Sequence, residues 1–136
     1  APPRRLYAVI SLLAALSCSV AQDSGDTSTT LAPTLTNVQS EVFNKSCAFS
    51  TCHGEGGGSG NLSLMAGSSQ VNLVGVSADG DPTQIRVIPG DPEGSYLMMK
   101  LEAADGIVGD VMPPVPLDAE RIELVRSWIA LGAGDN

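Results

Sequence analysis

The chain has few of the side chains that most often bind metals or nucleic acids. Its 136 residues include one histidine, three cysteines and seven lysines and arginines, against 15 aspartates and glutamates. A net charge of −8 without a basic stripe predicts no nucleic-acid partner and no attraction to anionic lipid headgroups. No Gly-Lys-Ser/Thr follows the glycine-rich segment 54–61, which excludes a phosphate-binding loop.

An apolar run long enough to span a bilayer is also missing. Residues 6–16 are mostly apolar, but a transmembrane helix needs about 20 such residues. Arg4 and Arg5 precede this run and small residues follow it up to Ala21, which is the pattern of a signal peptide. Residues 1–21 are therefore predicted to direct export, to the periplasm or the outer-membrane surface of a bacterium, leaving no transmembrane helix in the mature form.

Cys18, the first of the three cysteines in the chain, raises the question of a lipid anchor. The segment AALSC, which ends at Cys18, resembles the lipobox of bacterial lipoproteins, although Ala15 stands where that family prefers leucine. A single acyl chain gives only marginal membrane binding. Both alternatives stay open, namely soluble export and lipidation at Cys18.

Composition divides the remainder into a tether and one domain. Segment 22–35 is rich in Ser, Thr, Asp and Gly and is predicted to be a flexible linker, followed by a folded domain at 36–136. Removal of 1–21 takes away two arginines and no acidic residue, so five basic and 15 acidic residues remain and the net charge becomes −10. With 15 glycines and nine prolines in the whole chain, the core must be modest.

The pattern of apolar residues predicts an all-α domain with long Gly/Pro-rich loops. Residues 85–88 (IRVI) are the only strand-like run and are too isolated to seed a sheet. Loops this long in a small domain are uncommon and usually enclose a bound group. The predicted helices begin at Thr36 or Asn37 and end near Cys47, form one turn near SQVNLVGV, run from about Pro92 to Leu101 after an Asp91 cap, and run from an Asp118 cap to Gly132.

Cys47, Cys52 and His53 lie within seven residues and allow three interpretations. A zinc site needs four ligands, usually in two pairs, and the chain offers no second pair. A Cys47–Cys52 disulfide is plausible outside the cell, but it gives His53 no role. Covalent haem attachment uses two thiols for the two vinyl groups and an adjacent imidazole for the iron. The usual spacing is C-x-x-C-H, whereas here four residues, AFST, separate the cysteines.

A haem iron with histidine on one side usually takes a second axial ligand, and Met112 is the best candidate. Flanking prolines hold its backbone extended. Met98 and Met99 lie on a predicted helix, where core packing is their expected role. Met65 follows a glycine-rich loop.

The order of these motifs resembles the exported cytochrome c domains of planctomycetes and myxobacteria. The shared segments are the cysteine–histidine motif, RVIPGDPEGSYLMMKL, VMPPVPLDAERIELVRSWIALGA and the chain end. The resemblance covers about residues 36–134 and implies a small cytochrome c-like helical domain around one covalently bound haem c. It also implies that Cys47 and Cys52 attach the haem and that His53 and Met112 ligate the iron.

A haem with both axial positions filled implies one-electron transfer to a redox protein rather than enzymatic chemistry. The partner is expected to present a basic or neutral face to this acidic chain. Three alternatives stay open: a haem-free, disulfide-closed interaction module, a five-coordinate haem sensor or peroxidase-like enzyme, and the electron-entry domain of a larger oxidoreductase. Candidate contacts for the haem propionates are Arg86, Tyr96 and Trp128.

Overall fold

A computed structural model describes residues 30–136, so the predicted signal peptide, Cys18 and most of the predicted linker lie outside the described residues. Residues 30–136 form helices and loops without a strand, which confirms the all-α prediction. Segment 85–88 makes only isolated bridges. The elements are α1 (Leu35–Val38), a π-helical segment (Gln39–Phe43), α2 (Asn44–Ser46), a 3-10 turn (Ser59–Asn61), α3 (Ser69–Leu73), α4 (Tyr96–Leu101) and α5 (Ala119–Ala130).

The first three elements are continuous and lead directly into the first cysteine of the motif. The predicted helix is present, but its cap is Thr34, whose hydroxyl oxygen accepts the Asn37 N–H at 3.2 Å, and the predicted start at Thr36 or Asn37 is wrong. The earlier start lets Leu35 join the buried core, where α1 packs against α5. Leu35 is also the last residue of the predicted linker.

The π-helical segment places the amide of Gln39 inside the protein. Its Nε2 donates to the carbonyl of Leu64 at 2.8 Å, and its Oε1 accepts from the hydroxyl of Ser69 at 2.6 Å. Both Gln39 and Ser69 are buried, and a buried polar group is tolerated when it is hydrogen-bonded. Gln39 thus joins the first helical segment, the loop around residue 64 and α3.

Helix α4 begins at Tyr96, so the predicted start at Pro92 is wrong. Asp91 caps a turn instead of the helix, because its carboxylate accepts the N–H of Gly94 at 2.9 Å. The buried hydroxyl of Ser95 then donates to the Asp91 carbonyl at 2.7 Å and accepts the Ile88 N–H at 2.8 Å. Short-range side-chain bonds of this kind compete with helix formation.

Helix α5 follows the prediction closely. The carboxylate of Asp118 accepts the N–H of Arg121 at 2.9 Å and caps the helix. On the apolar face Val125, Trp128 and Ile129 are fully buried, whereas Leu131, just after the helix, is exposed. On the polar face Arg126 pairs with Glu93 and Glu102 and so connects α5 to the α4 region. No helix among residues 30–136 is both long enough and apolar enough to cross a bilayer.

Candidate cofactor site

One cavity brings together the four residues that the sequence predicts to bind haem. Its volume is about 390 Å³, and its wall includes Cys47, Cys52, His53 and Met112. Cofactor sites of proteins span roughly 300–1,000 Å³ and are mostly apolar. The apolar part of this wall includes Leu62, Leu64, Leu73, Ala78, Leu97, Leu101, Val108, Pro113 and Pro114.

The cysteine–histidine segment forms a short closed loop at the end of α2. The N–H of Cys47 donates to the Phe43 carbonyl at 2.9 Å, and the N–H of His53 donates back to the Cys47 carbonyl at 3.1 Å. This closure holds both thiols and the imidazole on the same wall. The additional residues of the four-residue spacing bow outward, since Phe49 is half exposed.

Two glycines allow the following backbone to lie against this loop. A Cβ at Gly58 would stand 2.0 Å from the carbonyl oxygen of Cys52, and one at Gly54 would stand 2.8 Å from that of Phe49. Side chains cannot fit at these separations. The N–H of Ser59 donates to the same Cys52 carbonyl at 2.8 Å, so the glycine-rich loop holds the second cysteine in place.

The hydrogen bond at His53 fixes which ring nitrogen carries the proton. Nδ1 lies 3.1 Å from the carbonyl oxygen of Leu62, and a carbonyl can only accept, so Nδ1 is the donor. In the neutral imidazole this leaves the lone pair on Nε2, as an imidazole that ligates a metal requires. The carbonyl of His53 also accepts the Leu64 N–H at 2.8 Å, so segment 62–64 holds both the ring and the backbone.

Cys47 and Cys52 are free thiols, each partly buried, and no disulfide joins them. Burial raises the pKa of the Cys47 thiol to about 11, with a smaller contribution from Cys52. Among residues 30–136, no three acidic, histidine or cysteine side chains come together as a metal site.

Arg86 is a buried cation in the cavity wall. Its side chain is 8% exposed and donates at 2.8 Å to the carbonyls of Asn72 and Gly60. Burial lowers the pKa of the guanidinium and nearby Asp79 opposes this, but arginine stays protonated at any physiological pH. No carboxylate of the described residues pairs with Arg86, whose hydrogen-bond partners are backbone carbonyls.

All four methionines lie among residues 30–136, and of these Met112 alone lines the cavity. Met98 is 1% exposed in the hydrophobic core, whereas Met65 is 40% exposed at the surface. Helix α4 holds the Met112 loop, because the N–H of Met112 donates to the Lys100 carbonyl at 3.1 Å and the hydroxyl of Tyr96 accepts the Val108 N–H at 2.8 Å.

Sequence reasoning missed Lys100, whose ammonium donates to the carbonyls of Val108 and Asp110. No local pattern marks a lysine that bonds to backbone eight to ten residues away.

Of the three candidate propionate contacts, Arg86 and Tyr96 line the cavity. Trp128 does not line it, and its indole N–H donates to the Gly134 carbonyl at 2.9 Å.

No protein-family model, curated protein or solved structure matches the chain.

Proposed function

We propose that this protein is an exported c-type cytochrome that transfers single electrons through one covalently attached haem. The observation that carries the proposal is the convergence of Cys47, Cys52, His53 and Met112 on one apolar cavity. Met112 is distant from the other three in sequence, and its place in the same wall follows from folding alone. That the domain has a cytochrome c-like fold is part of the same proposal.

The residues around the cavity fit a haem in several respects. Cys47 and Cys52 would hold its two vinyl positions, and the lone pair on Nε2 of His53 would meet the iron. Met112 is the only thioether in the wall, and it would serve as the second axial ligand. The leucines of the wall suit a porphyrin ring, and buried Arg86 offers positive charge to a carboxylate of the ring edge.

A bound haem supplies a one-electron couple that the polypeptide itself lacks. The chain's contribution would be to hold the iron with His53 and Met112, to surround the ring with an apolar wall and to favour one oxidation state. Methionine opposite histidine raises the reduction potential, and an apolar wall acts in the same direction because it disfavours the more charged ferric form. With His53 and Met112 as its ligands, a bound haem would supply one-electron transfer rather than activation of oxygen or peroxide.

Charge suggests the kind of redox partner. All five basic residues after position 21 make contacts within the chain: Lys45 with Glu41, Arg121 with Asp118, Arg126 with Glu93 and Glu102, and Arg86 and Lys100 with backbone carbonyls. Asp79 and Asp110 are exposed at the cavity wall. We therefore expect a basic or neutral protein partner, and association that weakens with salt.

Intact mass and an absorption spectrum test the proposal. The full chain is produced in a bacterium that has a cytochrome c maturation system, and we expect exported protein that carries the mass of one haem and a sharp reduced-state alpha band. Protein that is colourless, with only the mass of its amino acids, would refute the proposal. A mass two hydrogens lower would instead support a disulfide-closed, haem-free interaction module.

Replacement of Met112 separates the electron carrier from the five-coordinate alternative. In Met112→Ala we expect a changed ferric spectrum and a lower reduction potential, because the thioether ligand is lost. Met65→Ala, at an exposed methionine outside the cavity wall, is the matched control and should match the wild type. Identical spectra for Met112→Ala and wild type would contradict axial ligation by Met112.

A further inference from the structure

Helix α4 and the loop that carries Met112 are joined by four hydrogen bonds within a short stretch of chain. The Lys100 ammonium donates to the carbonyls of Val108 and, at 2.9 Å, of Asp110. The Tyr96 hydroxyl accepts the Val108 N–H at 2.8 Å, and the Lys100 carbonyl accepts the Met112 N–H at 3.1 Å. Three of these four bonds depend on the side chains of Tyr96 and Lys100.

The bonded loop has little else to hold it. Val108 is half exposed, Gly109 and Asp110 are exposed, and Gly106 and Gly109 adopt positive φ angles of 87° and 75°. Glycine at such positions leaves a large backbone freedom to be lost on ordering. The loop therefore depends on the few bonds that α4 provides.

Lys100 and Tyr96 also stabilise each other. The ammonium lies 5.6 Å from the centre of the Tyr96 ring, which is within the range of a cation–π contact. Tyr96 is buried and both side chains line the cavity, so this contact lies in the cavity wall. A charge-assisted bond to a carbonyl is stronger than a neutral one.

We propose that Lys100 and Tyr96 are positioning residues that fix the Met112 loop against α4, so that the thioether is already placed at the cavity before any cofactor binds. The proposal rests on the proposed function for the role of Met112, but the fastening itself is a property of the haem-free chain. Lys100 acts through backbone carbonyls and not as a ligand.

Amide hydrogen exchange of the haem-free full chain tests the fastening directly. Lys100→Met keeps the length of the side chain and removes the ammonium, and Tyr96→Phe removes only the hydroxyl. We expect exchange at Val108 and Met112 to be about tenfold faster in either variant, since a charge-assisted or partly buried bond is lost. Lys45→Met, which removes an exposed ammonium paired with Glu41, should leave both amides unchanged.

Spectroscopy of the haem-loaded chain tests the positioning. In Lys100→Leu, which removes the ammonium without adding a second thioether to the cavity wall, we expect a weaker methionine-to-iron band in the far red of the ferric spectrum and a lower reduction potential. Partial recovery is expected in Lys100→Arg, whose fork can reach both carbonyls.

Either of two results would overturn the proposal: unchanged exchange at both amides in both variants, or a normal far-red band and potential in Lys100→Leu. Wild-type protein that takes up no haem would refute the proposed function instead, and exchange in the haem-free chain would then decide the fastening alone.

Discussion

The two loops that carry His53 and Met112 line the same cavity and are held by different means. The loop that carries His53 is closed by backbone hydrogen bonds and by glycines whose backbone lies directly against it. The loop that carries Met112 is fastened mainly by the side chains of Tyr96 and Lys100. The first arrangement follows from the course of the main chain, and the second can be removed one side chain at a time.

This difference predicts different sensitivity to mutation. Where two main-chain segments are in direct contact, an added Cβ leaves no room for the second segment, which must then move as a whole. Side-chain bonds at a partly exposed loop contribute less each. The histidine side is therefore expected to be rigid and intolerant of substitution, and the methionine side to be adjustable. If a haem binds as proposed, this arrangement would let Met112 tune the iron while His53 stays fixed.

The largest effect is expected at Gly58. In Gly58→Ala the new methyl carbon would lie 2.0 Å from the Cys52 carbonyl oxygen, so the loop must move away from the second cysteine. We expect a loss of about 3 kcal/mol in the free energy of unfolding, at the upper end of the usual cost of overpacking. Urea denaturation followed by the fluorescence of Trp128, which is fully buried, measures it.

Gly134→Ala is the matched control for this change. A Cβ at Gly134 meets only Asn136, at 3.9 Å, and its backbone needs no positive φ angle, so the substitution should be close to neutral. If Gly58→Ala is as stable as Gly134→Ala, the close approach of the glycine-rich loop to Cys52 is not a constraint and the contrast between the two loops fails.

A smaller effect is expected at Arg86, which connects the histidine side to the rest of the fold. Its bonds to the carbonyls of Gly60 and Asn72 hold the segment that precedes Leu62, the partner of His53. Arg86→Met should cost about 2 kcal/mol, because buried carbonyls lose charged donors while the cost of burying the guanidinium is relieved.

The imidazole provides a second measurement on Arg86→Met. We expect the Nδ1–H resonance of His53 to exchange with water faster in the variant, since the Leu62 carbonyl is then less firmly placed. Lys45→Met removes an exposed cation in an ion pair and should change neither stability nor the resonance. An unchanged resonance in Arg86→Met would show that the Leu62 carbonyl is positioned without it.

The same contrast explains what the sequence could predict. Helix α5 was predictable because its cap, Asp118, and its apolar face are all local in sequence. The proximity of Cys47, Cys52 and His53 follows from their spacing, and the choice of Met112 from the flanking prolines. That these residues bind haem stays a prediction.

The parts that were not predictable depend on tertiary contacts. Thr34 caps the first helix because Leu35 fits the core beside α5. Asp91 has the sequence pattern of a helix cap, but its carboxylate instead accepts the N–H of Gly94 within a turn. Lys100 has the pattern of an exposed helical lysine, and only the folded loop supplies its two carbonyls. Local rules find elements and short motifs, and they do not find bonds between distant backbone segments.

The smallest of these effects is expected at the far end of the Met112 loop, where Asp118 caps α5. The pKa of its carboxyl is lowered, chiefly by the hydrogen bond from the Arg121 N–H and further by the charge of Arg121. A lowered folded-state pKa means that the ionised form stabilises the fold above the unfolded value near pH 4 and that this contribution disappears as the pH falls through the lower, folded value.

Asp118→Ala should therefore lower the thermal midpoint by a constant small amount between about pH 5 and 7, and by progressively less below about pH 4. Asp118→Asn is the control, because asparagine caps a helix equally well without ionising. If Met112 is anchored at both ends of its loop, exchange of its N–H should also rise slightly in Asp118→Ala and not in Asp118→Asn. A rise as large as that in Lys100→Met would mean that the cap, and not the contacts with α4, is the main support of the methionine side.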